Sequence, residues 1–471
     1  MEQKIRRDFA IMSLITDFEA MCELGNIGYL DEKAFIQIIE FYDEEGLTDK
    51  ALEALDLAIE QYQYRADFYI VKARLLFNEK RISECLDVLD FVSNISPLEK
   101  EIVFLKAKCY AIIKEFTLSM AELDKIRSFA LEGEQTEIWI TESYIYEHMK
   151  DYNSMYDCLK NALAVDGGNM EAQERFNMAT SLTKNYQNSV NFLKALIDDD
   201  PYNYLAWYHL GLAYCYCWEY DLAIDALEYA FIIEPAFEKA YTECAELCMQ
   251  LRKFSKAIKI YTDANEKFGP DTEYMIQMAN CYINLKQASK AKSILLKALK
   301  IDSYNDEIYF YLGESFRANN NGYSAINAYL KAVDLDPDRE EYYLGLARAH
   351  AMVDDYAKAI KNFSIAVQLC SEDSYYWKEY ACYLLKMGHH REAYAILDEA
   401  EECTFGADLL YCRAAACFLS KKKRDGLLYL KEALEEDLYA YTILFEICPE
   451  LELDKQISAM INYYKKEIET F

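Results

Sequence analysis

Between Tyr204 and Phe237 the apolar and small residues fall into two stripes. Trp207, Leu210, Gly211 and Tyr214 keep the i, i+3, i+4, i+7 spacing of one helical face. Ala223, Leu227 and Ala230 form a second stripe, and Pro235 closes the stretch. Counted from Tyr204, these are positions 4, 7, 8, 11, 20, 24, 27 and 32. The pattern predicts two facing helices. Small residues at positions 8 and 20 let the helices approach, while Tyr, Trp and Leu fill the space around that contact.

The same stripes return every 34 residues. Residues 306–339 repeat them with Tyr309, Leu312, Gly313, Phe316, Ala325, Tyr329, Ala332 and Pro337, and 272–305 with Met278, Ala279, Tyr282, Ala291, Leu295 and Ala298. This gives twelve units: 32–65, 66–99, 100–133, 136–169, 170–203, 204–237, 238–271, 272–305, 306–339, 340–373, 374–407 and 408–440. A two-residue slip falls at Glu134 and Gln135, and the last unit is expected to have lost a residue near its internal turn. Pro97, Pro201, Pro235 and Pro337 stand at position 32 and Pro270 at 33, where a residue without an N–H ends those five helix pairs. One pair cannot bury its own apolar face, so neighbours must stack. Segments 1–31 and 441–471 are expected to cap the array. Lys4, Arg6, Arg7, Asp8 and Glu19 give the first a polar side; Lys455, Lys465, Lys466, Glu467 and Glu469 do so for the last.

At every signature position of 204–237 this spacing resembles the tetratricopeptide repeat, with Leu227 where Phe is usual. The resemblance implies an all-α, right-handed α-solenoid of about twelve stacked helix–turn–helix units with end-capping helices. It also implies protein binding along a concave groove lined by the first helix of each unit, through positions 2, 5, 9 and 12. Those positions supply the candidate groove residues: Arg74, Phe77, Phe104, Lys108, Tyr144, Tyr208, Met249, Ile276, Asn280, Phe310, Arg348 and Lys378. Arg74 with Lys108, and Arg348 with Lys378, are cations in neighbouring units of an acidic chain. They would meet acidic side chains or a backbone carboxylate of an extended or helical partner, or else pair with local glutamates such as Glu101 and Glu341. Family members that grip a C-terminal Asp carboxylate carry Lys and Asn at positions 5 and 9 of one unit. Here Asn280 stands at a position 9, but Ile276 holds that unit's position 5. A co-chaperone role is not expected.

The 50 Lys and Arg against 81 Asp and Glu leave a net charge of −31. That field favours basic partners and repels nucleic acid and anionic lipid surfaces. With 53% hydrophobic residues the chain is not of the disordered class. No run of 18 apolar residues supplies a membrane span. Arg6, Arg7 and Phe9 resemble part of a twin-arginine signal, but Asp17 and Glu19 interrupt the apolar stretch, and an amphipathic helix is expected instead. The 15 cysteines are scattered singly, which fits a reducing compartment; a cytoplasmic location is expected.

Candidate chemistry is thin. Cys244 and Cys248 occupy positions 7 and 11 of the core stripe, and Cys215 and Cys217 point to different faces. His389 and His390 fall at an internal turn, and Asp198 to Asp200 at a junction between pairs. Lys421, Lys422, Lys423 and Arg424 form the dense basic run, a candidate phosphate or acidic-partner contact at the end of a helix. No stretch is left over for a catalytic domain, so no enzyme activity, cofactor or metal is expected. The expected function is a non-catalytic protein-binding scaffold or adaptor. The alternative is an accessory subunit that recruits substrate to a separate enzyme complex. Self-association through Tyr463, Tyr464 and Phe471 stays open.

Overall fold

The computed structural model describes residues 2–23, 28–96, 99–128 and 130–469. Pro97, Phe471 and the side chains of Lys4, Arg6, Arg7, Asp8, Phe9, Glu467 and Glu469 lie outside the described residues. Among the described residues there are twenty-seven α-helices, two short 3-10 helices and no strand. The chain is an all-α helical-repeat solenoid that divides into two compact units, 1–240 and 241–471.

In the first unit, helix Glu2–Glu23 precedes six helix pairs whose first helices begin at Glu32, Ala66, Lys100, Glu132, Met170 and Tyr204. In the second, helix Phe254–Phe268 precedes pairs beginning at Thr272, Asp306, Glu340, Ser374 and Ala407. Local chemistry fixes these starts. The side chains of Asp31, Asn169, Asn203, Asp271, Asn305 and Asp373 each accept a hydrogen bond from a backbone N–H in the first turn of the helix they precede.

The ends of the first helices are equally regular. Position 15 of each pair is left-handed, with φ from +55° at Asn320 to +80° at Gly388. Ten of the twelve residues there are not glycine. The left-handed residue reverses the chain and lets its N–H reach back to a carbonyl of the closing turn, as Lys114 does to Ala111 at 3.1 Å.

This register corrects the expectation about the shortened unit. The last first helix begins at Ala407, 407 − 374 = 33 residues after Ser374, and Lys421 holds the left-handed turn 14 residues further on. Gly388 stands at that same distance from Ser374. The missing residue therefore lies in the connection before Ala407, and the internal turn at Lys421 is intact. The slip at Glu134 and Gln135 is absorbed by a longer helix, Glu132–Met149, whose first turn is capped by Glu134 accepting from the Leu131 N–H at 2.7 Å.

Packing tracks the small residues. Ala51, Ala223, Ala257, Ala325, Ala359 and Ala393, all at position 20, are fully buried. A Cβ on Gly211 would come within 2.7 Å of Leu227, so the helix pair 204–233 closes at the glycine. Cys244 and Cys248 are buried in the same stripe. At the N-terminal end, Phe18 meets Phe35 edge-on at 6.4 Å, and Glu19 pairs with Lys50 at 2.7 Å. At the other end, helices Thr442–Ile447 and Lys455–Glu469 bury Leu444, Ile447, Ile457 and Ile461.

Candidate docking groove

The four first-helix positions assigned to the groove do not behave alike. Position 5 is buried at Ile276, Phe104 and Tyr208, at 2%, 4% and 8% exposure. The expectation that these three side chains offer themselves to a ligand is corrected: they are packing residues. Tyr208 shows why, since its ring meets Phe237 edge-on at 5.0 Å, and Phe237 belongs to the turn that ends its own pair. In this pair the closing turn thus covers Tyr208, whereas Phe310 and Lys378, also at position 5, are half-buried. At positions 9 and 12, Arg74 is exposed, and Lys108, Tyr144, Asn280, Arg348, Phe77 and Met249 are half-buried.

In the second unit, Asn280, Phe310 and Arg348 line one cavity of about 560 Å³, together with Tyr311, Glu341 and Tyr375. Three successive pairs and the start of a fourth supply these side chains. Asn284 donates to the Asn280 side-chain oxygen at 2.9 Å, and the Asn280 amide donates to the Tyr311 hydroxyl oxygen at 3.4 Å. Phe310 packs on Tyr342, with ring centres 5.1 Å apart.

The two arginines of this cavity are each held in an ion pair. Arg348 reaches Glu379 at 2.7 Å and donates to the Tyr375 hydroxyl at 2.7 Å. Lys378 reaches the same carboxylate at 3.1 Å, and its ammonium lies 4.4 Å from the centre of the Tyr375 ring. Burial pushes the Glu379 carboxyl up, but Arg348 and Lys378 outweigh it and hold it below the usual range. Arg317 is paired with Glu314 at 2.5 Å. Glu341, suggested by the sequence as the counter-charge, has no ion-pair partner among the described residues; the two cations take Glu379 instead. Burial, reinforced by Glu340, raises the Glu341 carboxyl.

The first unit holds a second cavity, of about 460 Å³, lined by Arg74, Phe77, Phe104, Lys108, Glu101 and Glu137. Phe104, almost fully buried, contributes to this lining. Arg74 stands 3.8 Å from Glu101, a loose contact between two solvated side chains. Among the described residues Lys108 has no carboxylate within 4.0 Å; burial raises the nearby Glu137, with Lys108 opposing.

The other candidates are dispersed. Tyr144 lies beneath the Arg175 guanidinium at 5.5 Å, and Arg175 pairs with Glu147 at 2.9 Å. Met249 lies in neither cavity. In the basic run, Lys423 pairs with Asp454 at 2.7 Å, and the Lys422 ammonium is 5.4 Å from the centre of the Tyr394 ring. His389 Nδ1 stands 3.0 Å from a Glu392 carboxylate oxygen, which can only accept, and Asp200 caps its turn by accepting from the Tyr202 N–H at 3.0 Å. Tyr464 donates to Glu435 at 2.9 Å, while Tyr463 is exposed. Sequence reasoning missed Tyr311, Tyr375 and Glu379 as lining or supporting residues, and named Glu341 only as a counter-charge. Glu341 and Tyr375 stand at position 2, which was itself among the groove positions. Among the described residues, no helix is long and apolar enough to cross a membrane.

The tetratricopeptide-repeat sequence profile matches residues 310–374. The TPR repeat-containing protein YpiA of Bacillus subtilis is 19% identical over 77% of this chain and 86% of its own length. The BBSome complex member BBS4 of Bos taurus is 32% identical over 24% of this chain; the match spans 21% of that protein. A tetratricopeptide repeat protein crystal structure from Parabacteroides merdae is similar over 56% of this chain and 99% of its own, at 17% identity and a TM-score of 0.40.

Proposed function

Because this chain is a tetratricopeptide-repeat protein, we propose that it is a non-catalytic scaffold or adaptor that holds a partner peptide, helix or domain against its first helices. Proteins of this family generally mediate protein–protein interactions. The observation that carries the reading is the cavity where Asn280, Phe310 and Arg348 converge with Tyr311 and Tyr375. Aromatic walls supply desolvated contact area, and the two arginines already held in ion pairs supply orientation without large side-chain ordering on binding. The cavity around Arg74, Phe77 and Lys108 is a second, smaller station of the same kind.

Retention of partners by the full chain tests this. Parent and an Arg348→Ala, Tyr375→Ala double variant are used as baits in native lysate at moderate salt. A stoichiometric partner held by the parent and lost by about tenfold or more in the variant supports the reading. Equal retention by both baits, with both melting alike, removes the groove from the interaction. A retained partner that is an enzyme would favour the substrate-recruiting role.

A further inference from the structure

The internal turns carry a second surface. Eleven of the twelve left-handed turn residues are Lys, Arg, Asn, Asp or Gly. Glycine fits this conformation without strain, and short polar side chains tolerate it through local hydrogen bonds. Trp218 is the exception, at φ +63°. A bulky residue there is costly, and such strain clusters at functional sites. Trp218 is 79% exposed, and its indole N–H has no hydrogen-bond partner among the described residues.

The neighbours of Trp218 belong to the same edge. Tyr220 meets its ring edge-on at 6.2 Å. Tyr216, which closes the first helix of that pair, stacks on Tyr186 of the preceding pair at 4.9 Å and 15°. Leu182 and Leu222, at the ends of helices facing the same turns, are exposed. Two successive helix pairs thus place aromatic and aliphatic side chains together in water, the kind of patch that marks an interaction site.

The chemistry of the edge selects its occupant. Elsewhere in the chain a lysine or arginine lies over many aromatic rings, including Lys194 over Tyr214 and Lys160 over Phe192. Among the described residues, none lies over Tyr186, Tyr216, Trp218 or Tyr220. Aromatic faces attract cations, the adjoining residue Glu219 is exposed, and the chain as a whole carries −31. A second copy of the chain would bring that same −31 and be repelled. We propose that the edge formed by Leu182, Tyr186, Tyr216, Trp218 and Leu222 is a docking surface for a partner segment whose arginine side chains lie over the Trp218 and Tyr216 rings. The surface is separate from the groove, and neither proposal depends on the other.

The test uses the full chain, a labelled peptide of alternating Arg and Gly, and the matched peptide with neutral citrulline in place of Arg. Binding is read by fluorescence anisotropy at moderate salt, where loose attraction to the net charge is screened. The variant is Trp218→Asn, since Asn320 already holds the equivalent turn; Trp218→Gly is the second, on the precedent of Gly46 and Gly388. The Arg peptide is expected to bind the parent at least tenfold more tightly than either variant, and more tightly than the citrulline peptide binds. Both variants are expected to melt at or above the parent temperature. Equal affinities for parent and variants, or no binding of the Arg peptide to the parent, overturn the proposal. Variants that melt well below the parent also overturn it, because Trp218 would then be structural. A parent dimer in sedimentation that Trp218→Asn abolishes would assign the edge to a second copy instead.

Discussion

The ring of Tyr329 lies where a side chain on Gly313 would have to go: a Cβ built on that glycine meets Tyr329 Cε1 at 2.5 Å. A Cβ on Gly345, on the first helix of the next pair, would meet the same ring at 2.6 Å. Tyr329 is fully buried between them and anchors its hydroxyl on Glu314 at 2.5 Å. Gly313→Ala sets two effects against each other. Alanine improves the helix by about 1 kcal/mol, whereas forcing extra volume against a fixed ring costs about 1–3 kcal/mol. The ring is held at both ends, so overpacking wins and the variant is expected to melt lower. Adding Tyr329→Leu frees the space, and the double variant should recover about 1 kcal/mol relative to additive behaviour in a thermal mutant cycle. A Gly313→Ala protein as stable as its parent would place that ring elsewhere.

The left-handed turns give a prediction of opposite sign. Lys114 and Lys150 hold φ of +66° and +61°, and both side chains are exposed. The left-handed conformation costs an L-residue about 1–2 kcal/mol, while glycine loses about 0.5–1 kcal/mol of extra chain entropy on folding. Lys114→Gly and Lys150→Gly should therefore each stabilise by several tenths of a kcal/mol, and Gly388→Ala should destabilise by about 1–2 kcal/mol. Chemical denaturation of the three variants reads both signs. A loss of stability in the two glycine variants would show that those lysines serve the fold through their side chains.

How much of this was legible depended on what a residue type can report. Gly211 and Ala223 announce the closure of a helix pair because only small residues fit there, and the helix-ending prolines mark where pairs stop. The 34-residue register came through for that reason. Position 5 came through at Phe310 but not at Tyr208 or Ile276, because an apolar residue looks the same whether it faces a groove or a covering turn; only the position of Phe237 decides for Tyr208. Ion pairing was half legible. Acidic residues near Arg348 were certain in such a chain, but the choice of Glu379 over Glu341 rests on which turn of the neighbouring helix comes within reach. The missing residue before Ala407 was misplaced because the left-handed turn at Lys421 carries no glycine to mark it. Trp218 passed unnoticed for the same reason: position 15 has a strict backbone and a loose composition.

His209 ties stability to pH. It is buried in helix Tyr204–Tyr216, and both ring nitrogens lack a hydrogen-bond partner among the described residues. Burial, with the charge of Lys239 added, holds its pKa down to about 3, against about 6.5 in an unfolded chain. Between those values the unfolded chain binds a proton here that the folded chain refuses. Stability is therefore full above about pH 6.5 and falls as pH drops, by at most about 1.4 kcal/mol per unit, until the folded value is reached. Lowered His350 acts in the same direction, and the raised carboxyls of Glu137, Glu246 and Glu341 act oppositely within the carboxylate range. Comparing parent with His209→Leu from pH 7 to 5.5 isolates this one group. The parent should lose about 1 kcal/mol more than the variant across that window. At pH 7 the variant should already be the more stable, by about 1 kcal/mol or more, because leucine fills similar volume without orphaned nitrogens. Parallel stability curves for the two proteins would mean that His209 takes up its proton in the folded state, and so reaches water or an acidic partner there.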